Sequence, residues 1–509
     1  MASRQTYIRL KPAAGLASLL LPERLVWAVV LLGALLRIYR YSSLSLWVDE
    51  GLTLEFSRLP WDTVLGLHGA YETHPPLYFA LVKAASMFAP ELTAGRLVSV
   101  VAGILTLSLL YILAAPLIGR RGALAAASVL AISPLHIWYS QEARPYALSM
   151  LFVCASYMAL VKFYRSAGRP DRRDHLWAAF YGLMVLLAVY TEYSVIYALA
   201  PQAMLLVYLL IKQGKRALWL WGAGLAAVVG FLPWLPQLLG TVHNFADAQA
   251  GYLSVSLPKM WTSVLSVVGI GGHSSYFAGT TAAPWDGWPP WHAIMLLAIL
   301  PAVVLGLLAL KKQGTLAIST TVGLLAGTIA VGAFISVFRA GYAERTVLYA
   351  LLGWALLAGA ASVVAGKIAR PVAWASLAVT IVLSLMTVRA IYDGGDKQHW
   401  RDLAQDSTAA LRSGTPLLLY PTVTGVLVDA YQPGTLEHAA NIGDFSDLPG
   451  FARPDLGVKS LWLAYIEAGG IDRLREQLAS RGYTRTAQSD YGNSMYLDVY
   501  TYEAAGETR

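Results

Sequence analysis

Apolar runs dominate the first 391 positions, at 24–40, 95–118, 122–138, 144–162, 175–191, 194–211, 217–238, 292–310, 315–337, 346–366 and 371–391. Each is close to the roughly 20 residues that span a bilayer. The polar stretches between them fall into two alternating sets. One is basic: Gly119–Arg120–Arg121, the segment from Lys162 to Arg173 with Arg165, Arg169 and Arg172, Lys212 to Arg216, Lys311–Lys312, and Lys367 to Arg370. The other comprises Gln141–Glu142, Thr191–Glu192, the long 240–291 loop, the 338–345 turn and the C-terminal tail. Lysine and arginine concentrate in cytoplasmic loops, so the first set is expected inside and the second outside. The basic start of the chain (Arg4, Arg9, Lys11) fits the same alternation. The pattern predicts an all-α polytopic membrane protein with about eleven transmembrane helices.

That parity settles one short run. The segment His74 to Phe88 is apolar, but if it crossed, Asp49 and Arg120 would share a side. It is expected instead as a helix on or dipping into the outer leaflet, preceded by a short amphipathic piece around Leu52 to Leu67. In the 240–291 loop, Leu257 to Ile270 is semi-apolar, and Trp285, Trp288 and Trp291 have the character of an interface anchor or of a lid with aromatic faces for a sugar. After Ile391 the composition turns mixed and polar. Pro416 to Tyr420 and Lys459 to Tyr465 have the pattern of strands, Ile471 to Ser480 of a helix, and Met495 to Glu503 of an alternating strand. The expected division is a membrane catalytic unit at 1–392 and a small extracytoplasmic α/β domain at 393–509, the latter serving specificity or docking without chemistry of its own.

Composition agrees. The chain is 57% hydrophobic and only 13% charged, about half the charge of a soluble domain. The excess of 38 basic over 30 acidic residues is accounted for by the inner loops and needs no nucleic acid. A single cysteine, Cys154, excludes an internal disulfide. No cleavable signal is evident, because the first apolar run leads into Arg37–Ile38–Tyr39–Arg40. The C-terminal domain shows no phosphate loop or nucleotide fingerprint, and no pair among the nine histidines has metal-ligand spacing on one helix face.

The candidate chemistry gathers on the outer side. Leu46–Trp47–Val48–Asp49–Glu50 places two adjacent acids just past the first run. Acids this close to a bilayer are costly and usually functional. Asp49 is then a catalytic base, or both acids cap a helix starting near Leu52. The same side holds His74–Pro75–Pro76, Glu91, Arg96, Gln141 to Tyr146, Glu192, Arg339, Glu344 and Arg345, with Arg37 and Arg40 ending the first run. Single arginines at a membrane edge snorkel; several together on the outside suit a phosphate, which guanidinium holds well.

These residues carry a resemblance. Leu36–Arg37–Ile38–Tyr39–Arg40, Leu46–Trp47–Val48–Asp49–Glu50, His74–Pro75–Pro76–Leu77–Tyr78–Phe79, Gly95–Arg96–Leu97, Gly119–Arg120–Arg121 and the stretch from Ser133 to Tyr146 resemble the GT-C glycosyltransferases of the protein O-mannosyltransferase type, a group that includes the lipid A aminoarabinose transferase. The motifs cover about 36–200. Lys397–Gln398–His399–Trp400–Arg401 is similar to a lysine–x–aspartate–tryptophan–arginine element of bacterial members, with His399 in place of the acid and no role assigned to it. The resemblance implies Asp49 as base and Glu50 beside it at the acceptor. It places Arg144, Arg345, Arg96, His74 and Tyr146 at the donor phosphate or next to it, and Glu142 and Glu192 near the acceptor or a metal. Many bacterial members have histidine where this chain has Glu192.

The implied activity is inverting transfer of a sugar from a polyprenyl-phosphate donor to a hydroxyl of a protein, lipid or glycan, on the outer face of a bacterial plasma membrane. A divalent cation (Mg or Mn) on Asp49 or Glu50 is the one cofactor this leaves room for. Two other classes compete: a flippase for polyprenyl-linked sugars, which would place charges at the bilayer midplane in matched broken helices, and a non-catalytic scaffold, which does not explain the outer polar groups.

Overall fold

The computed structural model describes residues 22–67, 74–167, 173–245, 255–270, 289–338, 341–393, 398–443, 448–450, 452–467, 470–492 and 494–502. The expectations for Arg4, Arg9, Lys11, Arg169, Arg172, Trp285, Trp288, Arg339, Lys397 and the Trp291 side chain fall outside them.

Each of the eleven apolar runs is largely helical, with the 122–138 run interrupted at Ile132–Ser133 and the 346–366 run helical over Ala350–Ser362. The N-terminal part comprises α1 (Pro22–Ile38), α2 (Val48–Arg58), α3 (Trp61–Val64), α4 (Leu77–Ala85), α5 (Glu91–Ala131), α6 (Pro134–Ser140), α7 (Tyr146–Arg165), α8 (Asp174–Val189) and α9 (Ile196–Gln213). There follow α10 (Leu218–Phe231), α11 (Leu235–Phe245), α12 (Leu257–Val267), α13 (Pro289–Gln313), α14 (Thr315–Val322), α15 (Thr328–Phe338), α16 (Ala350–Ser362) and α17 (Ala369–Asp393). Six continuous stretches among the described residues are long and apolar enough to cross a membrane: Glu91–Ala131, Tyr146–Arg165, Tyr193–Thr241, Ile294–Gln313, Thr315–Phe338 and Ala369–Asp393. The third contains two of the predicted runs, and the first contains the 95–118 run and the first part of the 122–138 run. The chain is an integral membrane protein. Helix α4 has nine residues, too short at 1.5 Å per residue for a roughly 30 Å hydrocarbon core.

Helix α5 is two helices joined at Gly119, whose φ of 76° and ψ of 163° are not helical. That conformation belongs almost only to glycine. The turn lets Arg120 pair with Glu23 at the start of α1. Arg165 donates to the Pro116 carbonyl (2.5 Å), and Arg216 pairs with Asp174 at 2.5 Å. The basic turns therefore collect at one end of the bundle. Asp49, which follows the far end of α1, lies at the other. Through the centre runs α16, buried along all 13 residues, with Glu344 and Arg345 in the turns just before it.

The C-terminal sheet domain comprises α18 (Trp400–Arg412), β1 (Leu417–Tyr420), α19 (Thr422–Tyr431), β2 (Ala440–Asn441), β3 (Ser460–Ile466), α20 (Ile471–Ser480), β4 (Tyr483–Asp490) and β5 (Met495–Tyr502). The strand order is β2-β1-β3-β5-β4. β2, β1 and β3 are parallel, and β5 and β4 add antiparallel. One face packs Leu461, Leu463, Tyr465 and Tyr500 against α20. The other carries Ala464, Met495 and Leu497 into a cluster with Trp400 and Leu427, and this cluster also takes in Leu46 and Leu54 of the N-terminal part. At Gly51 an added Cβ would lie 2.6 Å from the Leu427 side chain. The domain thus sits directly on α2.

The Gly119 turn gives a stability prediction. An alanine there meets no atom within 4 Å, so only backbone strain opposes it, about 1–3 kcal/mol. Gly119→Ala should lower the thermal unfolding midpoint in detergent, and Gly214→Ala should do the same, because its φ of 56° and ψ of −139° are likewise foreign to a residue with a Cβ and no atom lies within 4 Å to add a clash.

Candidate active site

Helix α2 begins at Val48, with Trp47 as its N-cap residue in an extended conformation. The two acids are therefore inside the first helical turn, and the expectation that they precede a helix starting near Leu52 is corrected. A carboxylate in a first turn interacts favourably with the helix dipole. Glu50, at the third helical position, reaches back to accept the Trp47 N–H at 3.3 Å, as a capping-box glutamate does.

The two neighbours have opposite surroundings. Glu50 is buried. Arg96 donates to it from Nε (2.7 Å) and Nη2 (2.6 Å), and the Ala143 N–H donates to the same carboxylate at 2.8 Å. Arg96 also donates to the carbonyls of Tyr41 (2.9 Å), Leu44 (2.8 Å) and Ser45 (3.0 Å). All five guanidinium donors are engaged, which leaves none for a phosphate. Gly95 makes this approach feasible, since a Cβ there would stand 2.7 Å from the Ala143 Cβ.

Asp49 keeps 21% of its side-chain surface exposed and has one ion-pair contact, Arg345 Nη1 to Oδ2 at 3.4 Å. The Arg345 guanidinium lies 6.0 Å above the centre of the Tyr146 ring. Arg144 donates to the Asp49 carbonyl (3.1 Å) and to Thr53 Oγ1 (3.2 Å). Its other nitrogen is 3.1 Å from His74 Nδ1, and His74 Nε2 is 3.3 Å from Glu192 Oε2. The Leu77 N–H donates to the Tyr190 carbonyl at 3.0 Å, and this brings the start of α4 to the end of α8 and so His74 to Glu192.

Asp49, Arg345, Tyr146, Arg144, His74 and Glu192 therefore form one contiguous group, with Glu50 and Arg96 behind it. Glu142 is buried beside the group, and its backbone carbonyl accepts the Arg144 N–H at 2.8 Å. Burial first, and then the charges of Glu142 and Glu344, hold the Tyr139 phenol well above its usual range. Arg37 lies apart: it is buried and donates to Gly33, Leu130 and Ala131 carbonyls. Sequence reading missed Thr53 and also Tyr349, whose hydroxyl lies 3.1 Å from Ser149 Oγ and 3.2 Å from Ser194 Oγ. Neither carries a sequence signal beyond its own polarity. It missed Gln398 and Tyr431 as well, which reach this region from the C-terminal domain. The only signal for Gln398 was its place inside the Lys397 to Arg401 element.

Glu50 is saturated by Arg96 and the Ala143 N–H, so of the two acids only Asp49, with its single 3.4 Å contact, is open to a divalent cation; among the described residues no group of three or more His, Cys, Asp or Glu side chains is placed to complete a metal site.

The fold is similar to that of GT-C membrane proteins of known structure. Residues 73–238 match the family described as dolichyl-phosphate-mannose-protein mannosyltransferase. The structure is similar to ArnT from Cupriavidus metallidurans bound to undecaprenyl phosphate, with a TM-score of 0.59 at 13% identity over 97% of this chain and 99% of that one. It is also similar to the archaeal oligosaccharyltransferase AglB from Archaeoglobus fulgidus, in complex with an inhibitory peptide and a dolichol-phosphate, with a TM-score of 0.51 at 13% identity over 88% and 70%. No curated protein matches the sequence.

Breaking the buried pair should be costly, because it strands a charge. Arg96→Met is expected to destabilise by about 3–5 kcal/mol. Glu91→Gln breaks the exposed Arg58–Glu91 pair and should cost no more than about 1 kcal/mol. Thermal unfolding of both variants in detergent checks the contrast.

Proposed function

We propose that this protein is an inverting glycosyltransferase that moves a sugar from a polyprenyl-phosphate donor to an acceptor hydroxyl on the outer face of a bacterial plasma membrane. The observation that carries the reading is the different fate of two adjacent acids. Glu50 is locked to Arg96, while Asp49 is accessible and set between two guanidinium groups. The similar structures of ArnT with undecaprenyl phosphate and of AglB with a dolichol-phosphate support the donor class. Nucleotide sugars are cytoplasmic, so chemistry outside calls for a lipid-carried sugar.

In the proposed reaction an acceptor hydroxyl oxygen attacks the anomeric carbon from the face opposite the phosphate. The bond from that carbon to the phosphate oxygen breaks, and its electron pair leaves with the polyprenyl phosphate. Asp49 takes the hydroxyl proton as general base. Arg345 and Arg144 stabilise the charge growing on the phosphate. The contact between Arg345 and Asp49 is single and long, so an incoming phosphate can draw the guanidinium away and release the carboxylate for the proton. His74 and Glu192 hold Arg144 in place, and Tyr146 underlies Arg345. Glu50 and Arg96 act as a support and touch neither substrate. Residues 393–509 form the extracytoplasmic domain in this reading. The charged groups lie at one end of the bundle rather than midway, an arrangement that favours transfer over transport.

Asp49→Asn retains shape and helix-start preference but not basicity. It should reduce transfer by about 10²–10⁴ or more with folding and donor binding preserved. Arg345→Ala should weaken binding of undecaprenyl phosphate roughly tenfold to a hundredfold. The assay measures undecaprenyl phosphate released from labelled undecaprenyl-phosphate mannose or aminoarabinose; near-normal release by the Asn variant would remove Asp49 from the mechanism.

Sidedness is tested separately. Cys154 is buried and gives a silent background. An impermeant thiol reagent on intact cells should label Glu476→Cys and not Arg120→Cys, both at exposed positions. The opposite result at either site would invert the proposed orientation.

A further inference from the structure

The segment that carries Asp49 is held from two sides. Glu50 fixes it to the membrane helices. The other hold comes from beyond α17. The Val48 N–H, the first of helix α2, donates to Gln398 Oε1 at 2.8 Å. The same oxygen accepts the Trp400 indole N–H at 2.7 Å, and two donors on one atom fix which way the amide points. Two residues earlier, the Leu46 N–H donates to the Tyr431 hydroxyl at 2.6 Å. Trp400 is fully buried in the cluster shared by Leu46, Leu54 and Leu427, so Gln398 is anchored on a rigid base. Arg401 adds a bond to the Ser43 carbonyl at 2.9 Å, and Arg58 of α2 lies 3.5 Å from Asp429 of α19. Val48 adjoins Asp49, and these bonds set where α2 starts and hence where the Asp49 carboxylate stands.

We propose that Gln398 and Tyr431 are positioning residues for Asp49, so that the C-terminal domain is a working part of the catalytic site rather than only a docking module. The inference rests on the transferase reading above, with Asp49 as base. Neither side chain touches Asp49 itself; they act through the backbone at 46 and 48. Catalytic groups must be held within about 0.5 Å of productive geometry, and a 1 Å misplacement costs about 10²-fold in rate. A backbone shift at Val48 passes directly into that tolerance, while the lipid phosphate, met by side chains of other helices, is bound as before.

The test uses the full-length protein in detergent, with labelled undecaprenyl-phosphate mannose or aminoarabinose for turnover and undecaprenyl phosphate for binding. Gln398→Leu removes the acceptor, Tyr431→Phe removes the hydroxyl, and Gln398→Glu keeps an oxygen for both donors. The first two should lower kcat about tenfold to a hundredfold, with the donor KM and undecaprenyl phosphate binding within about twofold of the parent. The Glu variant should retain at least about a third of the activity. Normal kcat in Gln398→Leu and Tyr431→Phe would overturn the proposal. So would loss of donor binding together with turnover, the mark of a structural role, and so would a Glu variant as impaired as the Leu variant. Asp49→Asn is run alongside. If it is inactive while Gln398→Leu is normal, only the positioning inference fails; if it is active, the transferase reading has failed first.

Discussion

The buried pair of Glu50 and Arg96 is the constraint on which the rest of the site depends. It joins four pieces of chain. Arg96 comes from the start of α5, Glu50 from the first turn of α2, the Tyr41, Leu44 and Ser45 carbonyls from the link after α1, and the Ala143 N–H from the link before α7. Desolvating two ions at the edge of a bilayer is expensive and is offset only when the remaining donors and acceptors are satisfied. Here they are. The same bonds fix the path of a loop that has almost no regular structure of its own between Ile38 and Val48. Together with Trp47, which shares an apolar cluster with Leu107 and Leu110 of α5, the pair holds the N-terminus of α2 against α5.

The pair also explains why two adjacent acids behave differently. In a helix, neighbouring residues point about 100° apart, so Glu50 turns back into the protein when Asp49 turns toward Arg345. The contacts differ accordingly: two bonds of 2.6–2.7 Å on one side and a single 3.4 Å contact on the other. The first is suited to permanence. In the proposed reaction the second is exchanged for the donor phosphate, and the unyielding pair next to it keeps the helix start from moving with Arg345.

The membrane architecture was legible because bilayer length and the apolar run impose each other. Each of the eleven runs is largely helical, although only six continuous stretches among the described residues are long and apolar enough to cross, and the break at Gly119 falls in the basic turn that charge alternation had marked. In the C-terminal domain the apolar strands were legible too: Pro416 to Tyr420 became Leu417–Tyr420, and Lys459 to Tyr465 became Ser460–Ile466. Strand β4 was missed, because seven of its eight residues are exposed and an edge strand with so polar a face has no alternation to read. Helix α19 was missed because Thr422–Val423–Thr424–Gly425–Val426 favours strands by local preference, and tertiary packing on α2 and β1 overrides it. At the site, the polar set was visible as outer-face residues. The division of labour between Glu50 and Asp49 was not, since it depends on a contact spanning 46 positions and on the start of α2 lying four residues earlier than expected.

The C-terminal domain adds the remaining step. Glu50 clamps the helix start and takes the Trp47 N–H, but it does not reach the N–H groups of Leu46 and Val48 on either side. Backbone donors at a helix start must find partners, and in this protein those of Leu46 and Val48 find them on Tyr431 and Gln398. Two separated attachments define a direction where one defines only a position. The apolar cluster of Leu46, Leu54, Trp400 and Leu427 packs beside these partly buried bonds. The sheet domain, distant in sequence and unlike the membrane helices in composition, is in this way bound to the orientation of a single carboxylate near the other end of the chain.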